Sequence, residues 1–153
     1  MLKCRLLPPL AMVLGLWALS LSANAAEPFR WDRLTIVTAT AEHGFRVEVA
    51  ETPRQRSQGL QHRRTMDSDA GMLFDFQTVE PVTMWMKNTY VPLDMLFIAA
   101  DGRILNIARD TAPLDLTPIP SAGLVRGVLE IRAGTAVKLG IKAGDRVSHR
   151  IFQ

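Results

Sequence analysis

Apolar positions along this chain come in short runs, and most of the runs alternate with polar ones. Leu34-Thr35-Ile36-Val37-Thr38 alternates and is rich in β-branched residues. In Phe45 to Ala50, Phe45, Val47 and Val49 fall on one side, and Arg46 and Glu48 on the other. A period of two is the mark of a strand with one buried and one solvated face, so these runs predict an opening hairpin around His43-Gly44. Gly71 to Phe76 predicts a further strand, and Met84 to Met86 a short one. Leu93 to Ile98 is apolar in both phases except at Asp94, the pattern of a strand buried on both faces. Asp101-Gly102 then predicts a tight hairpin into Ile104 to Ile107. Val128 to Ile131 and Val147 to Phe152 complete the series.

The breaks between runs carry their own signals. Thr52-Pro53-Arg54-Gln55 predicts a helix start, with Thr52 as cap, Pro53 in the first turn and Gln55 reaching back to the cap. Gly59 is placed to end that helix with a positive φ. A second short helical turn is expected around Thr135 to Leu139. Arg109 to Arg126 holds Pro113, Pro118 and Pro120 and reads as a long loop, since proline cannot join a central strand. The fold class that follows is mainly β: a jelly-roll-like sandwich or a partly open barrel with one or two short helices.

The N-terminus changes how the composition is read. Lys3 and Arg5 precede an apolar run from Leu6 to Leu21, and Ala23-Asn24-Ala25 supplies small residues before a cleavage point. That arrangement predicts a secretory signal peptide over 1–25, a tether over 26–33 and one β-rich domain over 34–153, in an exported protein, periplasmic or secreted. The only cysteine, Cys4, falls in the signal, so thiol nucleophiles, thiolate metal sites and disulfides are excluded from the mature chain. Removing Lys3 and Arg5 from 18 basic residues leaves 16 against 15 acidic ones, a net of +1. Charge therefore gives no support to a nucleic-acid partner, and no later run is long enough to span a membrane.

Candidate chemistry concentrates in Met84 to Phe97. Asn88 suits a left-handed bend, and Asp94 requires a donor because a lone buried charge is costly. Lys87, Asn88 and Thr89 are the nearest candidate donors. Arg63, Trp85, Lys87, Asn88, Asp94 and Glu130 form the candidate ligand-binding set, with the loop 109–126 as a lid over Trp85, Lys87, Asn88 and Glu130. The same residues could instead pair structurally, Lys87 with Asp94 and an arginine with Glu130. Met84 and Met86 share a strand face, with Met66, Met72, Met95 and His62 as further soft ligands for Cu(I), although methionine also fills cores. His43, His62 and His149 lie far apart in polar contexts typical of surface residues, and no nucleophile motif or phosphate loop is present.

Gly71-Met72-Leu73-Phe74, Trp85-Met86-Lys87-Asn88-Thr89, Pro92-Leu93-Asp94 and Phe97-Ile98 together resemble domain-of-unknown-function family 192. Arg56 to Leu60, Val128-Leu129-Glu130, Gly140-Ile141 and Gly144-Asp145 extend the resemblance over roughly residues 45 to 151, in the family's order. It implies a compact β-rich domain and no established activity. The function expected from the residues is a non-catalytic, extracytoplasmic binding module for a small polar or carboxylated ligand, without a cofactor. The alternatives are a structural or protein-interaction domain and, with less support, Cu(I) handling or an enzyme.

Overall fold

A computed structural model describes residues 27–153; the signal segment read over 1–25 lies outside the described residues. The elements are β1 (Arg30–Val37), β2 (Glu42–Ala50), α1 (Pro53–Gln58), β3 (Ala70–Met84), β4 (Leu93–Ile98), β5 (Ile104–Thr111), β6 (Ile119–Arg132), α2 (Thr135–Lys138) and β7 (Arg146–Ser148), with a closing 3-10 turn at Arg150–Phe152. The strands form one seven-stranded sheet in the order β5-β4-β6-β3-β2-β1-β7. It curls into a half-barrel, the partly open form of the expected fold class. Its two edges meet at one corner, where Val147 donates to the carbonyl of Gly102 and Ile104 to that of Asp145, each at 2.8 Å.

The β1–β2 and Asp101-Gly102 hairpins both form and are antiparallel, but the first turns at 38–41 rather than at His43-Gly44, which pair with Ile36 and Thr35 inside the ladder. The cap of α1 also forms. The Gln55 amide donates to Thr52 Oγ1 at 3.2 Å, and Gln55 Oε1 accepts from the Thr52 amide at 3.0 Å. Helix α1 carries the chain from β2 into β3, which pair in parallel.

Several boundaries differ from the sequence reading. β1 begins at Arg30, so four residues of the expected tether belong to the sheet; Trp31 to Arg33 pair with Arg46 to Glu48. The expected strand at Met84 to Met86 is only the end of the 15-residue β3. The loop expected over 109–126 is confined to 112–118, because β6 starts at Ile119. Pro120 is tolerated within β6 because the ladder there is irregular. The Val82 amide goes to Ser121 Oγ, the Ala122 amide to Asn106 Oδ1, and β4 joins β6 only from Gly127 onward. Val147 to Phe152 is a three-residue strand and a 3-10 turn rather than one strand.

Both faces of the sheet are buried. The concave face holds Leu34, Ile36, Phe45, Val47, Leu73, Leu96, Ile98, Leu129 and Ile131. The convex face holds Met72, Phe74, Met95, Phe97 and Val128, covered by Leu60, Met86, Val91 and Val82. Alternation along each strand assigns successive residues to opposite cores. That places Asp94 on the concave side and its neighbour Met95 on the convex side. Burying strands on both faces explains why β4 reads as almost continuously apolar.

Candidate functional site

The convex face carries one polar row. Trp31 is in register with Glu48, Glu48 with Met72, Met72 with Glu130, and Glu130 with Met95. Two carboxylates thus flank Met72 across three adjacent strands, in a face otherwise made of methionine, phenylalanine and valine. The alternation in β2 gave Glu48 a solvated face. In the fold, the turn that follows α1 covers it, and its carboxylate pairs with Arg63. Leu60 lies in the wall of two neighbouring cavities, one containing Glu48 and Arg63 and the other containing Glu130.

The Trp85 corner is fastened from both sides. On one side, the His62 amide donates to the Asn88 carbonyl at 2.8 Å, and Asn88 Nδ2 donates to Gln61 Oε1 at 3.1 Å. On the other, the Met86 amide donates to the Asp115 carbonyl at 2.9 Å, and the Leu114 amide to the Thr89 carbonyl at 3.1 Å. Asn88 takes a positive φ of 53°, as the bend requires. The corner leaves Trp85 56% exposed, with the Lys87 ammonium 5.5 Å from the indole centroid.

Beneath it is a cavity of about 40 Å³, with Leu60, Phe74, Trp85, Lys87 and Glu130 among its lining residues. Glu130 is 4% exposed, and among the described residues no hydrogen bond or ion pair reaches its carboxyl group. Burial pushes its pKa up to about 8, because the anion has lost its water. The group is therefore mainly a neutral acid at pH 7, able to donate one hydrogen bond and accept others.

The candidate set divides accordingly. Trp85, Lys87 and Glu130 meet in one cavity, and Asn88 is hydrogen-bonded to Gln61 in its wall. Arg63 belongs to the adjoining Glu48 cavity, and the expected arginine partner for Glu130 is absent among the described residues. Asp94 belongs to neither. Its Oδ1 accepts the Asp110 amide at 2.9 Å and its Oδ2 the Ala136 amide at 2.8 Å. The pairing expected between Lys87 and Asp94 does not form, because the two side chains serve opposite faces of the sheet.

The expected lid also differs. The 112–118 loop touches the Trp85 corner through Leu114 and Asp115, but the cavity wall comes from α1 and the Gly59–Gln61 turn. The sequence signal for that wall was the Arg56 to Leu60 stretch, with its glycine just past a capped helix. Met72, Met86 and Met95 are fully buried, and the Met86 sulfur accepts from Thr111 Oγ1 at 3.1 Å. They act as core. Among the described residues no group of three His, Asp or Glu side chains is placed to hold a metal ion. His149 is buried rather than on the surface, with Nε2 3.2 Å from Asp32 Oδ2.

The fold and the cavity define a β half-barrel that carries a buried acid under an exposed tryptophan. The chain belongs to the family DUF192, described as an uncharacterized ACR family, whose model matches residues 35–149. Among solved structures it is similar to a candidate transcription regulator from Sinorhizobium meliloti 1021. The two share 47% identity and a TM-score of 0.79, over 81% of this chain and 97% of that one. It is also similar to a protein of unknown function from Novosphingobium aromaticivorans DSM 12444, with 38% identity and a TM-score of 0.78, over 82% and 91% of the respective chains. No similar protein was found among curated proteins.

Proposed function

We propose that the protein is a non-catalytic, extracytoplasmic binding module for a small polar or carboxylated ligand, held at the Trp85 corner. The observation that carries this reading is Glu130, a buried acid without a partner, at the base of a cavity that also contains Lys87. The Glu130 oxygens keep a small opening to that cavity, and in so dry a site a matching polar group forms a strong hydrogen bond. The cavity admits only one small group, so the ligand body rests outside on the indole, a common platform for apolar or sugar faces. A carboxylate or hydroxyl inserted beneath it accepts from the neutral Glu130 acid, and Lys87 adds charge-assisted attraction for an anion. The export half of the proposal rests on the N-terminal sequence alone.

Titration with small carboxylates, amino acids and sugars, followed by thermal shift and tryptophan fluorescence, tests the reading. A ligand that binds only the native state raises its melting temperature. Trp85→Ala and Glu130→Leu should each abolish that rise. If none of these compounds shifts the protein at millimolar concentration, the small-ligand reading fails. The protein-interaction alternative then leads, since Trp85, Tyr90, Leu114 and Leu116 are all exposed around the same corner.

A further inference from the structure

A second, larger cavity of about 500 Å³ opens where β2 and β3 begin and β6 passes into α2, and it shares no lining residue with the Trp85 cavity. Its polar walls are Glu42, His43, Asp69, Arg132 and Lys138, with Phe45 and Leu139 as apolar floor. The size falls within the range of small-molecule sites, and an apolar floor with a few converging polar groups is their usual chemistry.

Two observations make this cavity more than a surface hollow. The Nε2 atom of His43 is buried and has no hydrogen-bond partner, the only buried side-chain polar atom of that kind among the described residues. Either tautomer of a neutral imidazole leaves an unmet donor or acceptor there. The charges are also uneven. Asp69 is already engaged by Arg46, at 3.3 Å. Arg132 and Lys138 take part in no ion pair among the described residues. Glu42 is the one unengaged acid opposite two unengaged cations.

We infer that this cavity is a second binding site, for the oxyanion of a small organic molecule, either a carboxylate or a phosphate monoester. Arg132 supplies a planar fork suited to two oxygens of such a group, and Lys138 adds a point charge. His43 stands in the wall beside them; its sealed Nε2 meets a ligand oxygen when the ring turns outward, which would supply its missing bond. Glu42 stands at the rim, where it disfavours ligands of high negative charge and favours those that also carry a hydroxyl or ammonium group. The site is independent of the Trp85 reading and shares no residue with it.

The test is a titration of isotope-labelled protein at low ionic strength with inorganic phosphate and, separately, with succinate, read by amide and indole chemical shifts. The expected result is saturable movement of the Gly44, Gly134 and Thr135 amides with either probe, with the same half-saturation in Trp85→Ala as in wild type. Stronger binding of phosphate assigns the anion to the phosphate class, and stronger binding of succinate to the carboxylate class. Arg132→Gln combined with Lys138→Gln changes only exposed side chains and should weaken binding about tenfold or more. His43→Phe should weaken it further without lowering the melting temperature by more than a few degrees. If neither probe moves those amides, or if the double variant binds as tightly as wild type, the inference is overturned. Loss of that movement in Trp85→Ala would also overturn it, since the sites would not be separate.

Discussion

Asp94 caps a helix it does not belong to: its Oδ2 accepts the amide of Ala136, 42 residues away, at 2.8 Å. With Oδ1 on the Asp110 amide, one fully buried carboxylate ties β4 to β5 and to the first turn of α2. Helix α2 has four residues and no side-chain cap of its own. So short a helix does not persist without tertiary support.

Asp94→Ala leaves the buried Ala136 amide and the partly buried Asp110 amide without their acceptor. At about 1–3 kcal/mol for a buried orphaned donor, and less for the partly buried one, the expected loss is roughly 2–4 kcal/mol, read as a lower urea midpoint. Asp94→Asn keeps one acceptor oxygen and should lose less. An unchanged midpoint for the alanine variant would mean that neither bond stabilises the fold.

Glu130 gives a pH dependence of definite sign. Its pKa in the folded chain is raised from 4.5 to about 8 by burial, so the unfolded chain ionises first as pH rises. Below about 4.5 both states are protonated and the group imposes no penalty. Between about 4.5 and 8 stability falls with rising pH, because the native state holds the proton longer. Glu130→Gln should remove that slope and be more stable than wild type at pH 8, by a few kcal/mol at about 1.4 per unit. Unfolding free energies at pH 5 and pH 8 decide it; parallel changes in both proteins would show that Glu130 is solvated.

Much of this architecture is legible in the residues because local signals agree with the fold. Thr52 and Gln55 form their reciprocal cap, Asn88 takes its positive φ, and Asp101-Gly102 turns β4 into β5. What was not legible depends on distant partners. Pro120 reads as a loop residue, yet Ser121 and Asn106 replace the ladder bonds around it. Glu48 alternates like a solvated residue, and only the turn after α1 buries it. Asp94 sits within a few residues of Lys87, but strand alternation sends it to the other face, toward amides far along the chain. Trp85, Lys87 and Glu130 were recognisable as polar or aromatic groups in apolar settings, whereas the wall that encloses them is a tertiary product.

The methionines should behave as packing. Met86 is fully buried with its sulfur facing Thr111, and Met84 is only partly covered. Met84→Leu with Met86→Leu nearly conserves volume and should cost less than about 1.5 kcal/mol. Thermal unfolding with and without Cu(I) checks this. A metal-dependent stabilisation present in wild type and lost in the double variant would make these side chains ligands instead.

The seam of the half-barrel gives the sharpest structural test. Gly102 has a φ of +83°, and a Cβ built on it would lie 2.5 Å from the Val147 carbonyl oxygen. Its own carbonyl accepts the Val147 amide, so the close approach and the seam hydrogen bond are one feature. Gly134 has nearly the same φ, +80°, with nothing within 4 Å of a Cβ. Alanine at Gly134 therefore carries only the left-handed backbone cost, about 1 kcal/mol. Alanine at Gly102 carries that cost and a backbone clash that no rotamer relieves. Gly102→Ala should be destabilised by at least about 2 kcal/mol more than Gly134→Ala. Hydrogen exchange should also quicken at the Ile104 and Val147 amides before it does in β3 or β6, since those two donors bridge the sheet edges. Equal losses in the two variants, with Val147 still protected, would show that the edges are not joined through Gly102 in solution.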